Sequence, residues 1–136
     1  MTGRRVIIVH HLEHARLALA AADACRTPVT LRSAPAAAAY LGALVFREMI
    51  AEARAEFPDV DAIAVLDCGR HAGFALAALR AGIERVRVDL PATTRAKLAD
   101  LAAQMGATLD DDDAPVFDPL ACENPAEGCR TWLSTA

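Results

Sequence analysis

Apolar residues in this chain follow two alternating rhythms. Short unbroken runs occur at Val6 to Val9, Val29 to Leu31 and Ala62 to Leu66, with Val86 and Val88 as a fourth, weaker instance. Between them lie longer stretches in which alanine and leucine recur at helical spacing: Leu12 to Ala24, Pro35 to Phe57, His71 to Ala81 and Pro91 to Met105. Short non-alternating runs predict strands buried on both faces, and the longer stretches predict helices. In the second helix Tyr40, Leu44, Met49 and Ala53 fall at candidate inward positions, and Pro58-Asp59 breaks it. Gly82 and Gly106 stand just beyond the third and fourth helices, the usual place for a terminating glycine. The order βαβαβαβα predicts an α/β fold with a parallel sheet and right-handed crossovers. Ala107-Thr108-Leu109 is a candidate fifth strand, giving four to five in all.

From Asp110 the character changes to a run of four aspartates, three prolines and two cysteines. Asn124-Pro125 reads as an N-cap and first helical position for a short helix through Trp132. The expected division is therefore an α/β domain over residues 1–109 and an acidic, cysteine-containing tail over 110–136.

Composition narrows the classes. The 136 residues suit one domain, and 54% hydrophobic with 4% aromatic content means a core of small aliphatic side chains. Net charge is −4 and the basic residues are scattered, which argues against a nucleic-acid partner. After Arg4-Arg5 the apolar run Val6 to Val9 is too short for a signal peptide, and nothing approaches the ~20 apolar residues of a membrane span. A cytoplasmic protein is expected, with Cys25, Cys68, Cys122 and Cys129 as thiols and Cys25 as a small core residue.

Ligands of parallel α/β folds bind at the C-terminal ends of the strands. That rim is expected to carry His10 and His11 from strand 1, and Arg32 and Ser33 from strand 2. Strand 3 gives Asp67 and Cys68, with Arg70 and His71 beyond, and strand 4 gives Asp89. His10 and His14 have the i,i+4 spacing of a helical metal pair, but without HExxH context a solvated helix start is the preferred reading. Asp67 could cap the next helix. Cys68 reads more often as a small buried residue than as a nucleophile or ligand, although near a helix N-terminus with Arg70 and His71 it is also a candidate for a depressed thiol pKa. Asp110 to Asp113 lack the alternation of a calcium loop and read as solvated, and the spacing of Cys122 and Cys129 is not that of a zinc knuckle.

These residues occur in an order that resembles the N-terminal half of the class II (zinc-dependent) fructose- and tagatose-bisphosphate aldolases. The family's first strand leads into a Leu-Glu turn, here Val9-His10-His11-Leu12-Glu13. Its Ser-Pro-Gly-Ala turn and Tyr-Leu-Gly helix correspond to Leu31-Arg32-Ser33-Ala34-Pro35-Ala36, in which Ala34 replaces the family's serine, and to Tyr40-Leu41-Gly42. Its Leu-Asp-His-Gly motif is Leu66-Asp67-Cys68-Gly69. The Ala-Ile-x-Ala-Gly-Phe segment and Asp-ended strand are Ala78 to Ile83 and Val86 to Asp89. The match runs over about residues 5–106.

The resemblance implies half of a TIM-type (β/α)8 barrel, with Asp67 as the catalytic acid/base. Cys68 stands where the family has a zinc histidine, and a thiolate can ligate zinc. The metal candidates are then Cys68, His10, His11 and His71, and the ligand-binding candidates Ser33, Arg32 and Asp89, for a small phosphorylated ligand. The family's other zinc histidines and its phosphate loop belong to the second barrel half, beyond the matched stretch. A non-catalytic, aldolase-like half-barrel acting through self-association, ligand or partner binding is therefore expected. The alternative is a metal- or thiol-dependent lyase using Asp67 and Cys68, formed in a dimer. Four or five strands alone would leave the inner face of a half-barrel wet, which predicts a homo-oligomer. Two other arrangements could cover it: a flavodoxin-like open sheet, or the tail laid over the sheet through Val116, Phe117, Leu120, Trp132 and Leu133.

Overall fold

The computed structural model describes residues 4–135. In chain order these form β1 (Arg5–Val9), α1 (Leu12–Cys25), β2 (Val29–Ser33), a 3-10 turn (Ala37–Ala39), α2 (Ala43–Glu56), β3 (Ala62–Asp67) and α3 (Ala72–Arg80). They continue with β4 (Arg85–Arg87), α4 (Ala92–Gln104), β5 (Thr108–Leu109), β6 (Val116–Phe117), a second 3-10 turn (Pro119–Ala121) and α5 (Pro125–Ser134). The α/β class and the βα alternation are as the sequence predicts. No helix of the described residues is long and apolar enough to cross a membrane.

The described residues fall into two compact units. The first takes residues up to Arg32, Met49–Ile63 and the chain from Asp113; the second takes Ser33–Glu48 and Ala64–Asp112. Within the first, β2 lies between β1 and the start of β3, and β6 pairs with β1 in parallel, Val6 opposite Val116. A flavodoxin-like sheet would instead put β1 between β2 and β3, so that alternative is ruled out. Within the second unit β3, β4 and β5 follow one another in parallel, with Leu66 opposite Val86 and Val86 opposite Leu109. Strands β1 to β5 thus follow one another in sequence order, the order of a (β/α) barrel wall, and β6 departs from it by pairing with β1.

In the first unit α1 buries Ala15, Ala18, Leu19 and Ala22, one stripe at i, i+3, i+4 and i+7. Alanines on that stripe allow α5 to pack closely against α1. Helix α5 starts at the predicted cap, where the Asn124 side chain accepts the Glu127 N–H at 3.2 Å. It buries Cys129 and Leu133, and its Trp132 Nε1 donates to the Val6 carbonyl at 3.1 Å. Arg5 lies 4.5 Å from the Trp132 ring and Phe117 stacks on the same indole. The tail thus supplies cover through Phe117, Trp132 and Leu133, whereas Val116 and Leu120 remain exposed.

Successive strand residues face opposite sides, yet all of β2 and all of β1 after Arg5 are buried. The expected wet face is therefore absent from these strands. The predicted single helix over Pro35 to Phe57 is in fact a 3-10 turn and α2, interrupted where Ala36 (φ +56°) and Gly42 (φ +84°) turn left-handed. That break rotates Tyr40 and Leu44 outward, 72% and 59% exposed, while Met49 and Ala53 are buried as expected. Cys25 is only half-buried, its thiol 3.9 Å from the Arg130 carbonyl.

Candidate functional site

In the second unit the ends of β2, β3 and β4 are joined by a polar network. Ser33 Oγ accepts the Asp67 N–H at 2.9 Å and donates to the Ala34 carbonyl at 3.2 Å. Asp67 Oδ1 accepts two backbone N–H groups, from Gly69 at 2.8 Å and Ala36 at 3.0 Å. The first closes a turn within the Leu66–Gly69 motif, and the second ties that motif to the loop after β2. Asp67 is thus not the cap of α3; His71 holds that position and makes no side-chain cap bond. Gly69 has φ +58°, and a Cβ there would meet the Ala36 Cβ at 3.0 Å. Glycine is required both by the backbone conformation and by the close approach.

Asp67 Oδ2 lies 3.9 Å from Arg87 Nε. Arg87 Nη1 in turn donates to Asp110 Oδ2 and to the Asp112 carbonyl, both at 2.9 Å. The acidic run is therefore not uniformly solvated, because Asp110 is buried as the partner of this guanidinium. Cys68 continues the β3–β4 ladder, its N–H donating to the Arg87 carbonyl at 2.8 Å, and it is fully buried. Burial pushes its thiol up to about 12, and the Asp67 charge acts in the same direction. Cys68 is thus the small buried residue that the sequence favours, and the alternative of a depressed thiol pKa is overturned: desolvation outweighs any influence of Arg70 and His71. Asp89 and Arg70 form a 3.3 Å pair on the surface, and the His71 ring packs edge-on against Phe74. Ser33 and Asp67 thus come together, while the Cys68 thiol is buried near the Leu66 carbonyl and Asp89 is exposed.

His10, His11 and Arg32 belong to the first unit. Arg32 is buried at the end of β2. His11 is the N-cap of α1, its Nδ1 accepting the His14 N–H at 3.4 Å. His14 Nδ1 accepts the His10 N–H at 3.3 Å, and His10 Nε2 donates to Asp118 Oδ1 at 2.9 Å. The same Asp118 oxygen accepts the Leu120 N–H at 2.9 Å. The His11 and His14 rings lie 3.9 Å apart; His11 and Glu13 are exposed, so the helix start is solvated as expected except at His14, which is 5% exposed. Burial lowers the His14 pKa, as do the charges of His11 and His10, against Asp118 and Glu13.

The zinc that the resemblance implies finds no fitting ligand set. Nδ1 of His11 and of His14 is occupied by a backbone donor and Nε2 of His10 by Asp118, while the Cys68 thiol is held protonated by burial. Among the described residues no three His, Cys, Asp or Glu side chains are placed to share a metal ion.

Arg87, Asp110 and Asp118 are not singled out by the sequence as members of a site, and His14 only as a possible metal partner of His10. A basic residue inside an apolar strand, in Val86-Arg87-Val88, was the available signal for the first. The pairing of Asp118 with His10 spans most of the chain and leaves no local trace.

No protein-family model matches this chain, and no curated protein is significantly similar to it. Among solved structures it is similar to a crystal structure from Coccidioides immitis described as a fructose-1,6-biphosphate aldolase, with TM-score 0.67 and 21% identity. The match covers 79% of this chain and 40% of that one, so the chain spans less than half the length of its structural neighbour. At this identity the likeness establishes the fold, an aldolase-like TIM-type half.

Proposed function

We propose that this chain is a non-catalytic, aldolase-like half-barrel that works by binding, through self-association or a small phosphorylated ligand or partner. One observation carries the reading: the aspartate at the acid/base position of the motif is used to hold the fold. Its Oδ1 accepts two backbone N–H groups and its Oδ2 faces Arg87, while the adjacent thiol is buried and pushed up to about 12. A general base must reach the proton it abstracts, and a zinc ligand must be a thiolate open to the metal. The exposed Tyr40, Leu44, Val45 and Phe74 of the second unit support a binding role.

The test is aldol cleavage of a ketose bisphosphate with added zinc, using the native chain, Asp67→Asn and Cys68→Ser. No turnover above buffer is expected from any of the three. Turnover in the native chain that both substitutions abolish would replace this reading with the lyase. Sedimentation at micromolar concentration and calorimetric titration with the same bisphosphate separate self-association from ligand binding.

A further inference from the structure

The histidine cluster of the first unit has a protonation logic that its hydrogen bonds dictate. A backbone N–H can only donate, so a ring nitrogen that accepts one must carry a lone pair. Nδ1 of His11 accepts the His14 N–H, and Nδ1 of His14 accepts the His10 N–H. Both imidazoles are therefore neutral with their proton on Nε2. A second proton on either ring must go to Nδ1, where it opposes an N–H and breaks the bond. His10 is different, because its Nε2 already donates to the Asp118 carboxylate.

The consequences of a proton reach beyond one bond. His11 is the cap of α1, and a cation at a helix N-terminus also opposes the macrodipole. The His14 ring touches both of the others, so protonation brings positive charges together around it. The groups around His14 are His10 at the end of β1, His11 and Glu13 at the start of α1, and Asp118 before the second 3-10 turn. Asp118 caps that turn through Leu120 and sits beside β6, which pairs with β1. The contact between residues 10 and 118 therefore joins the C-terminal segment to the β1–α1 corner.

We propose that His10, His11, His14 and Asp118 form an acid-sensitive latch that holds the Asp118 turn to the β1–α1 corner and opens when His11 or His14 takes a proton at Nδ1. Opening frees the first turn of α1 and the Asp118–Leu120 turn ahead of global unfolding.

Two measurements on the native chain test it. Nitrogen-15 NMR of the imidazoles at pH 7.5 should show Nε2–H tautomers for His11 and His14; an Nδ1–H tautomer at either overturns the proposal. Amide exchange, corrected for its intrinsic pH dependence, should accelerate at His10, His14 and Leu120 on acidification. The limit for one histidine whose pKa returns to ~6.5 on opening is about thirtyfold by about pH 5. No acceleration, or acceleration shared equally by core amides of β2, overturns it. A double variant, His11→Asn with His14→Gln, retains acceptors that do not titrate and should abolish the acid step; an unchanged step also overturns it.

Discussion

The two polar clusters of this chain fasten loops with opposite chemistry. At the ends of β3 and β4 the second unit uses a carboxylate and a guanidinium, with Asp67 holding two backbone N–H groups and Arg87 reaching Asp110. At the β1–α1 corner the first unit uses imidazole lone pairs as acceptors for equivalent backbone groups. The carboxylate accepts in its charged form, whereas the imidazole accepts only when neutral. The difference teaches that the same count of backbone bonds can respond oppositely to acid in the range where histidine titrates.

The comparison breaks most visibly at Asp67. Asp67→Ala leaves two N–H groups without their acceptor and removes a partner of Arg87, a loss of about 3 kcal/mol. Asp67→Asn keeps one acceptor oxygen and should lose only about 1 kcal/mol. Urea unfolding measures both, and equal losses would mean that the backbone bonds are not what Asp67 contributes. A smaller effect is expected at Gly69, where alanine meets both the left-handed backbone and the Ala36 methyl at 3.0 Å, for about 2 kcal/mol. A circular-dichroism melt of Gly69→Ala reads this as a lower Tm at every pH.

At the imidazole corner the expected effects are smaller and depend on pH. His11→Ala removes the α1 cap and should cost about 1 kcal/mol near neutrality. The folded state lowers the His14 pKa, so folding favours the neutral ring. The stability this contributes is full above the usual value of 6.5 and falls as pH drops below it towards the folded-state value. The urea midpoint should decline over that window in the native chain and decline less in His14→Gln. Smallest is Arg70→Ala. The Arg70–Asp89 pair is 84% and 78% exposed, and its loss should leave the midpoint within about 0.5 kcal/mol of native.

The periodic parts of the fold were legible because burial is recorded locally. The runs Val6 to Val9 and Ala62 to Leu66 and the stripe of α1 needed only their own spacing. The break between the 3-10 turn and α2 falls at Gly42, a glycine inside an otherwise helical pattern, while the other left-handed residue, Ala36 ahead of the 3-10 turn, carries no such marker. Asp67 and Ser33 could be placed at one strand-end level, since both close apolar runs. Their roles could not, because Asp67 could equally cap a helix, act on a ligand or bind backbone until its neighbours were known. Cys68 is the small buried residue that its type favours, and only the depressed pKa suggested by the nearness in sequence of Arg70 and His71 fails. Pairing within β3 and β4, which no local window contains, takes its thiol into the interior.

A closed barrel has no sheet edges, but each unit here has one: β5 in the second and β6 in the first, two residues each. So short a strand offers almost no ladder for another chain to extend. The chain between them reads Asp110-Asp111-Asp112-Asp113-Ala114-Pro115, which places carboxylates after one edge and a proline immediately before the other. Like charges repel a second copy laid alongside, and proline supplies no N–H to pair with it. This stretch, which carries little regular structure, thus guards against fibrillar stacking, and lengthening either edge strand with uncharged β-formers would expose the chain to that hazard.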